Sequence, residues 1–165
     1  MRSSIARKGA AQAGSKRGGA DAASSRERMG ALPSRYSFAL NSYTDVRFTT
    51  CPACEAQTRV RKIPLAIHIE GLGLFVLRKT CRLCVACDMV IVHGDELDTL
   101  IAARRPQRKA SNRPLEYLVL GTVDPRVWRR GLAGGVSFDE LLQHMADFRR
   151  YMRIEHTGGG WKPAK

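Results

Sequence analysis

Cys51-Pro52-Ala53-Cys54, followed after 26 residues by Cys81-Arg82-Leu83-Cys84-Val85-Ala86-Cys87, holds all five cysteines of the chain. A Cys-x-x-Cys turn points two sulfurs at one spot while backbone N–H groups face them. Two such turns supply the four tetrahedral ligands that Zn2+ takes at about 2.3 Å. Disulfides fit the pattern poorly: the number is odd, the first 30 residues contain no hydrophobic segment of the export type, and the spacing is that of metal-binding turns. A redox pair of the thioredoxin kind needs a βαβ context, and a strand pattern follows the first pair instead. The expected cofactor is Zn2+.

Outward from the cysteines, Val46–Thr50 alternates in the manner of a strand and runs into Cys51. Thr58–Ile63 alternates again, and Leu65, Ile67 and Ile69 continue it with His68 between them. Glu70-Gly71-Leu72-Gly73 reads as a turn, and Leu74–Leu77 starts back toward the second cysteine group. The spacing therefore predicts a two-stranded hairpin that carries the chain from one turn to the other. Met89–Val92 is a short strand of the buried type, ended by His93-Gly94. Asp95 is the expected N-cap of a helix with Leu97, Leu100 and Ile101 on one face.

With its Cys-Pro-x-Cys turn, the segment of about residues 46–93 resembles the zinc-ribbon superfamily. The stretch from Cys84 to Asp88, His93 to Leu97, and the later Tyr117 to Asp124, also looks like a group of uncharacterised bacterial zinc-ribbon proteins, a similarity that implies no activity. In ribbons a flexible or polar residue usually follows each turn. Cys51-x-Ala-Cys54-Glu55 and Cys84-x-Ala-Cys87-Asp88 match in the small residue and in the acid that follows, whereas a Cys81/Cys84 pair would be followed by Val85. The resemblance thus points to Cys51, Cys54, Cys84 and Cys87 as the metal ligands, with Cys81 as the alternative ligand. If it is spare, Cys81 is a small buried hydrophobe in the preceding strand.

Beyond the helix, residues 104–113 read as a basic linker, and Leu115–Val123 as a strand. Asp124-Pro125 opens a short helix through Trp128 that stops at Gly134-Gly135. Ser137 and Glu140 form a capping-box pattern. Behind it Phe138, Leu141, Leu142, Met145, Phe148 and Met152 recur at helical spacing, which predicts one long helix with its stripe on the core. The expected fold is α+β: a disordered basic tail (1–34), a four-cysteine zinc ribbon of antiparallel hairpins with a following helix (36–103), the linker (104–113), a strand-helix-helix unit (114–156) and a disordered tail (157–165). Residues 1–34 hold one Ile, one Leu and no aromatic, too little apolar surface to offset ordering entropy. A transit peptide and a translation start at Met29 are alternative readings of that stretch.

The net charge is +13, unevenly spread: residues 1–28 hold seven basic and two acidic residues, residues 36–100 seven of each, and residues 101–165 thirteen against six. Basic flanks around a neutral middle suit contact with a polyanion, or serve only to keep the chain soluble. Arg59, Arg61 and Arg78, with Lys62, Lys79 and Arg82, are expected to make a basic hairpin face. Asp88, Asp95, Glu96 and Asp98 lie on the helix side. With Arg104, Arg105, Arg108 and Lys109 of the linker, that face is the expected nucleic-acid-binding surface. Aromatic residues are only 7% of the chain, and Tyr36, Tyr43 and Trp161 are the only loosely placed stacking candidates, so sequence-specific reading is not supported.

Catalysis is not expected. Four thiolates close a zinc site, and His93 with Glu96 could serve an open one only if a thiolate were not a ligand. His68, His144 and His156 have no partner in view, and no phosphate loop, dinucleotide fingerprint or hydrolase motif occurs. No apolar run reaches the roughly 18 residues of a membrane span. The expectation is a non-enzymatic structural-zinc module of the cytoplasm that contacts nucleic acid or a ribonucleoprotein through phosphates. The alternative is a zinc-ribbon adaptor with a protein partner, and a zinc-dependent hydrolase or redox enzyme comes third. No small-molecule substrate is evident.

Overall fold

The computed structural model describes residues 27–104 and 116–164. In chain order the elements are β1 (Leu32–Asn41), β2 (Arg59–Ile69), β3 (Gly73–Cys84), β4 (Met89–His93), α1 (Gly94–Ala102), β5 (Tyr117–Val123), α2 (Pro125–Leu132), α3 (Phe138–Gln143), β6 (Met145–Thr157) and β7 (Gly160–Ala164). The architecture is mixed α+β, mostly strands, with three helices among the described residues.

The hairpin between the cysteine groups is the longest ladder. β2 and β3 pair antiparallel from Arg59↔Leu83 to Ile69↔Gly73. Gly71 and Gly73 turn the chain with φ of 75° and 89°, where a side chain would be strained. This hairpin is not a separate ribbon. The strands form one sheet in the order β1-β4-β3-β2-β5-β6-β7, and β1 also pairs with β6. The first six strands therefore close on themselves as a barrel, in which β1 runs parallel to both β4 and β6 and the other neighbours are antiparallel. At the β5–β6 seam a Cβ on Gly121 would stand 2.2 Å from the Ala146 carbonyl oxygen, so only glycine allows that approach.

Strand alternation sorts the apolar side chains into three clusters. Leu65, Ile67, Leu77, Val90, Val92, Val119, Phe38 and Phe148 fill the interior, with Leu97 and Ile101 of α1 joining them. Met89, Ile91 and Ala39 face outward beneath the cysteine turns, together with Phe48 and Ile154. Ala66, Val123 and Met145 face outward on another side beneath α2, which contributes Val127. β4 is buried along its whole length because it serves two of these cores at once.

Several expectations are corrected. The long helix over 138–152 is instead the six-residue α3 followed by the thirteen-residue β6. Ser137 caps α3 as the pattern predicts, accepting from the Glu140 N–H at 3.2 Å. From Met145 onward, however, pairing with β1 and β5 closes the barrel, and intrinsic helix preference is too small to oppose such a ladder. Residues 32–34 belong to β1 and not to a tail, and residues 160–164 form β7 against β6. Residues 46–50 are not a strand; only Thr50 bridges, to Gln57. α1 begins at Gly94, so its N-cap is His93 without a side-chain cap bond, and Asp95 and Glu96 lie in the first turn, where carboxylates suit the helix dipole. The expected strand-helix-helix unit (114–156) is built into the same sheet, because β5 pairs with β2 and β6 with β1. Residues 1–26 and most of the expected linker lie outside the described residues.

Candidate metal centre

Two short turns meet on the outside of the barrel. Cys84 is the last residue of β3 and pairs with Met89, so the second turn is the tip of the β3–β4 hairpin. The first turn is closed in the same way: the Cys51 N–H donates to the Ala56 carbonyl at 2.8 Å and the Glu55 N–H to the Cys51 carbonyl at 2.9 Å. Glu55 and Asp88, the residues after Cys54 and Cys87, both adopt the left-handed region, at φ 62° and 53°. The sequence match between the two turns is thus a match of backbone conformation. In each turn the first cysteine is buried and the second lies further out.

The Sγ atoms of Cys51, Cys54, Cys84 and Cys87 all lie within 4.8 Å of one another. Cys51 and Cys87 are 3.6 Å apart, and Cys54 and Cys84 are 3.4 Å apart. Four sulfurs at about 2.3 Å from one ion would be about 3.8 Å apart along each tetrahedral edge, so the group could hold a metal ion of that kind. These separations are well beyond the about 2.05 Å of a disulfide. Thiol acidities show the crowding. The Cys87 thiol is pushed up by burial and then by the neighbouring thiols, and Cys51 is raised mainly by burial. Burial also acts to raise Cys84, but the Cys87 N–H and the neighbouring thiols outweigh it and bring that group below its ordinary value. Four thiolates this close need a cation among them, because like charges at contact oppose joint ionisation.

Cys81 stands elsewhere. Three residues apart on one strand, Cys81 and Cys84 face opposite sides of the sheet. Cys81 packs in the barrel interior at 2% exposure, and burial pushes its thiol up to about 12. Strand alternation, applied to a β3 that runs through Cys84, is the signal that separates the two.

The chain entering the first turn is held by polar side chains that sequence reading missed. Buried Asn41 donates to the Val46 carbonyl at 2.8 Å and accepts from the Tyr43 N–H at 2.9 Å; its amide nitrogen is also 3.1 Å from His93 Nδ1. Thr58 donates to the Phe48 carbonyl at 2.6 Å. Burial, then Arg47, holds the His93 imidazole below its usual pKa. Glu96 accepts from Arg47 at 3.0 Å and from Lys79, which lowers the carboxyl chiefly through the Lys79 bond. Lys79 is only 4% exposed, so it is no part of a basic face.

The expected nucleic-acid face is divided. Opposed residues in an antiparallel ladder share a face, so Arg59 and Arg61, opposite Leu83 and Cys81, lie on the side continuous with the barrel interior. Arg78, opposite Pro64, lies on the other side, 5.2 Å over the Trp128 ring. Arg104 follows α1 and is exposed, whereas Arg105, Arg108 and Lys109 lie outside the described residues. On the acidic side, Asp88 meets Arg149 at 3.4 Å and Asp98 accepts from the Tyr117 hydroxyl at 2.7 Å. Trp161 is not free for stacking: it packs edge-on against Tyr43, Phe48 and His156. His68 is exposed on β2.

Fold and site together define a closed mixed barrel carrying a four-cysteine cluster compatible with metal binding. Compared with known proteins, the chain matches no family model, no curated protein and no solved structure. Among the described residues, no helix is long and apolar enough to cross a membrane.

Proposed function

We propose that the protein is a non-enzymatic module whose four cysteines hold one structural Zn2+ in a site of the zinc-ribbon type, and whose exposed cations contact nucleic-acid phosphates. The observation that carries the zinc reading is the meeting of four sulfurs on two turns of like conformation. An all-thiolate set favours Zn2+ over the hard cations, which take oxygen. The phosphate reading rests on the +13 charge and on the exposed Arg59 and Arg61 at the start of β2, which no acidic side chain opposes across the β2–β3 ladder. A protein-binding adaptor is the second reading, favoured by Leu132 and Phe138, which are 71% and 56% exposed beside the groove between α2 and α3.

The test combines metal analysis with a salt titration. About one zinc per chain is expected, lost in Cys84→Ser and kept in Cys81→Ser. Binding to a mixed-sequence RNA and to a duplex should weaken steeply with salt. Changing Arg59 and Arg61 to Ser should flatten that dependence by roughly one unit of slope per lost contact, equally for both nucleic acids. Absence of salt-dependent binding to either one sinks the phosphate reading in favour of the adaptor.

A further inference from the structure

At the end of the barrel where β2 and β6 begin and β5 ends, the strands leave a hollow of about 500 Å3. That is within the range of small-ligand sites, about 300–1,000 Å3. Its apolar lining includes Leu32, Ile63 and Val123, and its polar lining includes Arg35 and Lys62 from opposite walls and Thr122. Arg35 and Lys62 are both exposed, and the guanidinium of Arg35 lies 4.6 Å over the Tyr36 ring, held as a flat cation at the rim. The acid in the lining, Asp124, is engaged as the cap of α2, accepting from the Arg126 N–H at 2.7 Å. Tyr36 has a φ of 49° beside a register irregularity between Leu32 and Arg35. A bulky residue in that region is costly, and both backbone strain and strand bulges gather at ligand sites and barrel rims. Arg59 and Arg61 lie further along β2 on the face of Ile63, whereas Lys62 stands on the opposite face of the strand.

We propose that the barrel mouth binds a nucleotide, its phosphate held by Arg35 and Lys62 and its base and sugar against the apolar lining residues. Two cations against one carboxylate, which is already bonded to the Arg126 N–H, favour an anion, and a guanidinium pairs bidentately with phosphate and stacks on flat rings. The apolar lining asks for more than an inorganic ion. The same group reaches the site either as a free nucleotide or as the phosphorylated 5′ end of a strand. This deepens the phosphate-binding reading by giving it a pocket, and rests on that reading only for its second source.

The experiment measures binding of adenosine 5′-monophosphate, of adenosine, and of one oligonucleotide with and without a 5′ phosphate, on the zinc-loaded full chain. Saturable binding of the monophosphate, or of the phosphorylated strand, is expected to weaken at least tenfold in Arg35→Gln/Lys62→Gln and to persist in Arg129→Gln. Melting temperature and zinc content check that the variants fold, and Lys62→Gln alone repeats the test if the pair does not. A preference for the phosphorylated strand over the free nucleotide assigns the strand end as the source, and the reverse assigns the free nucleotide. Adenosine binding as well as its monophosphate, unchanged binding in the folded variants, or no saturable binding of either phosphate probe overturns the proposal. Salt-dependent binding of the unphosphorylated strand is read separately. Its loss alone removes the surface reading and leaves the pocket, and its presence without monophosphate or 5′-phosphate binding does the opposite.

Discussion

The two cysteine turns have nearly the same backbone and very different support. The second is the tip of a hairpin whose flanking strands both belong to the barrel, and the Ser37 N–H ties it to β1 by donating to the Asp88 carbonyl at 2.7 Å. The first lies in the loop between β1 and β2, closed on itself by the Thr50↔Gln57 bridge and the Thr58 N–H to Thr49 carbonyl bond, and held to the barrel by side chains: bonds from Asn41 and Thr58, the Arg47–Glu96 pair, and the packing of Phe48 and Cys51. One half of the site is therefore positioned by the sheet. The other half is brought to it across a loop, and metal coordination would complete the attachment. The division of labour is physical: ladder hydrogen bonds hold a tip without help, whereas a loop loses conformational entropy when fixed and needs an added bond to offset it.

Metal removal should separate the two turns most sharply. On chelation, amide exchange is expected to rise at least tenfold over residues 43–58, while residues 81–84 and 89–92 keep their protection. Exchange monitored by mass spectrometry reads both at once. Equal loss in both turns would break the comparison and show that the barrel itself depends on the metal.

A second test cuts the tether between the loop and the sheet. Glu96 joins Arg47, in the approach to the first turn, to Lys79 inside β3. Glu96→Gln leaves Lys79 buried without its counter-charge. Because the carboxylate is 42% exposed, the loss is discounted to about 1–2 kcal/mol at neutral pH. The folded state holds the Glu96 carboxyl below its ordinary value, chiefly through the Lys79 bond. Its contribution is complete above the unfolded carboxylate pKa of about 4.3 and is lost as pH falls through the lower folded value. Urea unfolding across pH should show the gap between parent and variant narrowing in that acid window. A gap that does not depend on pH would assign the effect to packing.

The smallest effect addresses what the turns share. Glu55 and Asp88 are both left-handed, a region where glycine has no side-chain penalty. Glu55→Gly and Asp88→Gly should each stabilise the protein, by about 0.5–1 kcal/mol after allowing for the extra conformational entropy that glycine gives the unfolded chain. The Asp88–Arg149 pair is half exposed and contributes little against this. Thermal melts of the two variants that move in opposite directions would show that the turns are alike in outline only.

Much of the four-cysteine cluster was legible in the sequence, because its determinants are local. Two Cys-x-x-Cys turns followed by Glu55 and Asp88, the hairpin between them with its turn at Gly71-Gly73, and the caps Asp124 and Ser137 each depend on residues a few positions apart. The errors lie where local and long-range preferences disagree. Phe138 to Met152 has helical spacing, yet β6 is a strand because β1 and β5 offer it ladders on both edges, and those partners are more than twenty residues away. The basic hairpin face looked continuous in one dimension. In the folded ladder the register sends Arg59 and Arg61 to one side and Arg78 to the other, and turns Lys79 inward onto Glu96. Local pattern in the sequence was enough for the cysteine turns and most of the short elements. That these elements close into one barrel with Cys81 inside it emerges only in the folded molecule, because ring closure is a property of pairings between distant strands that no local pattern encodes.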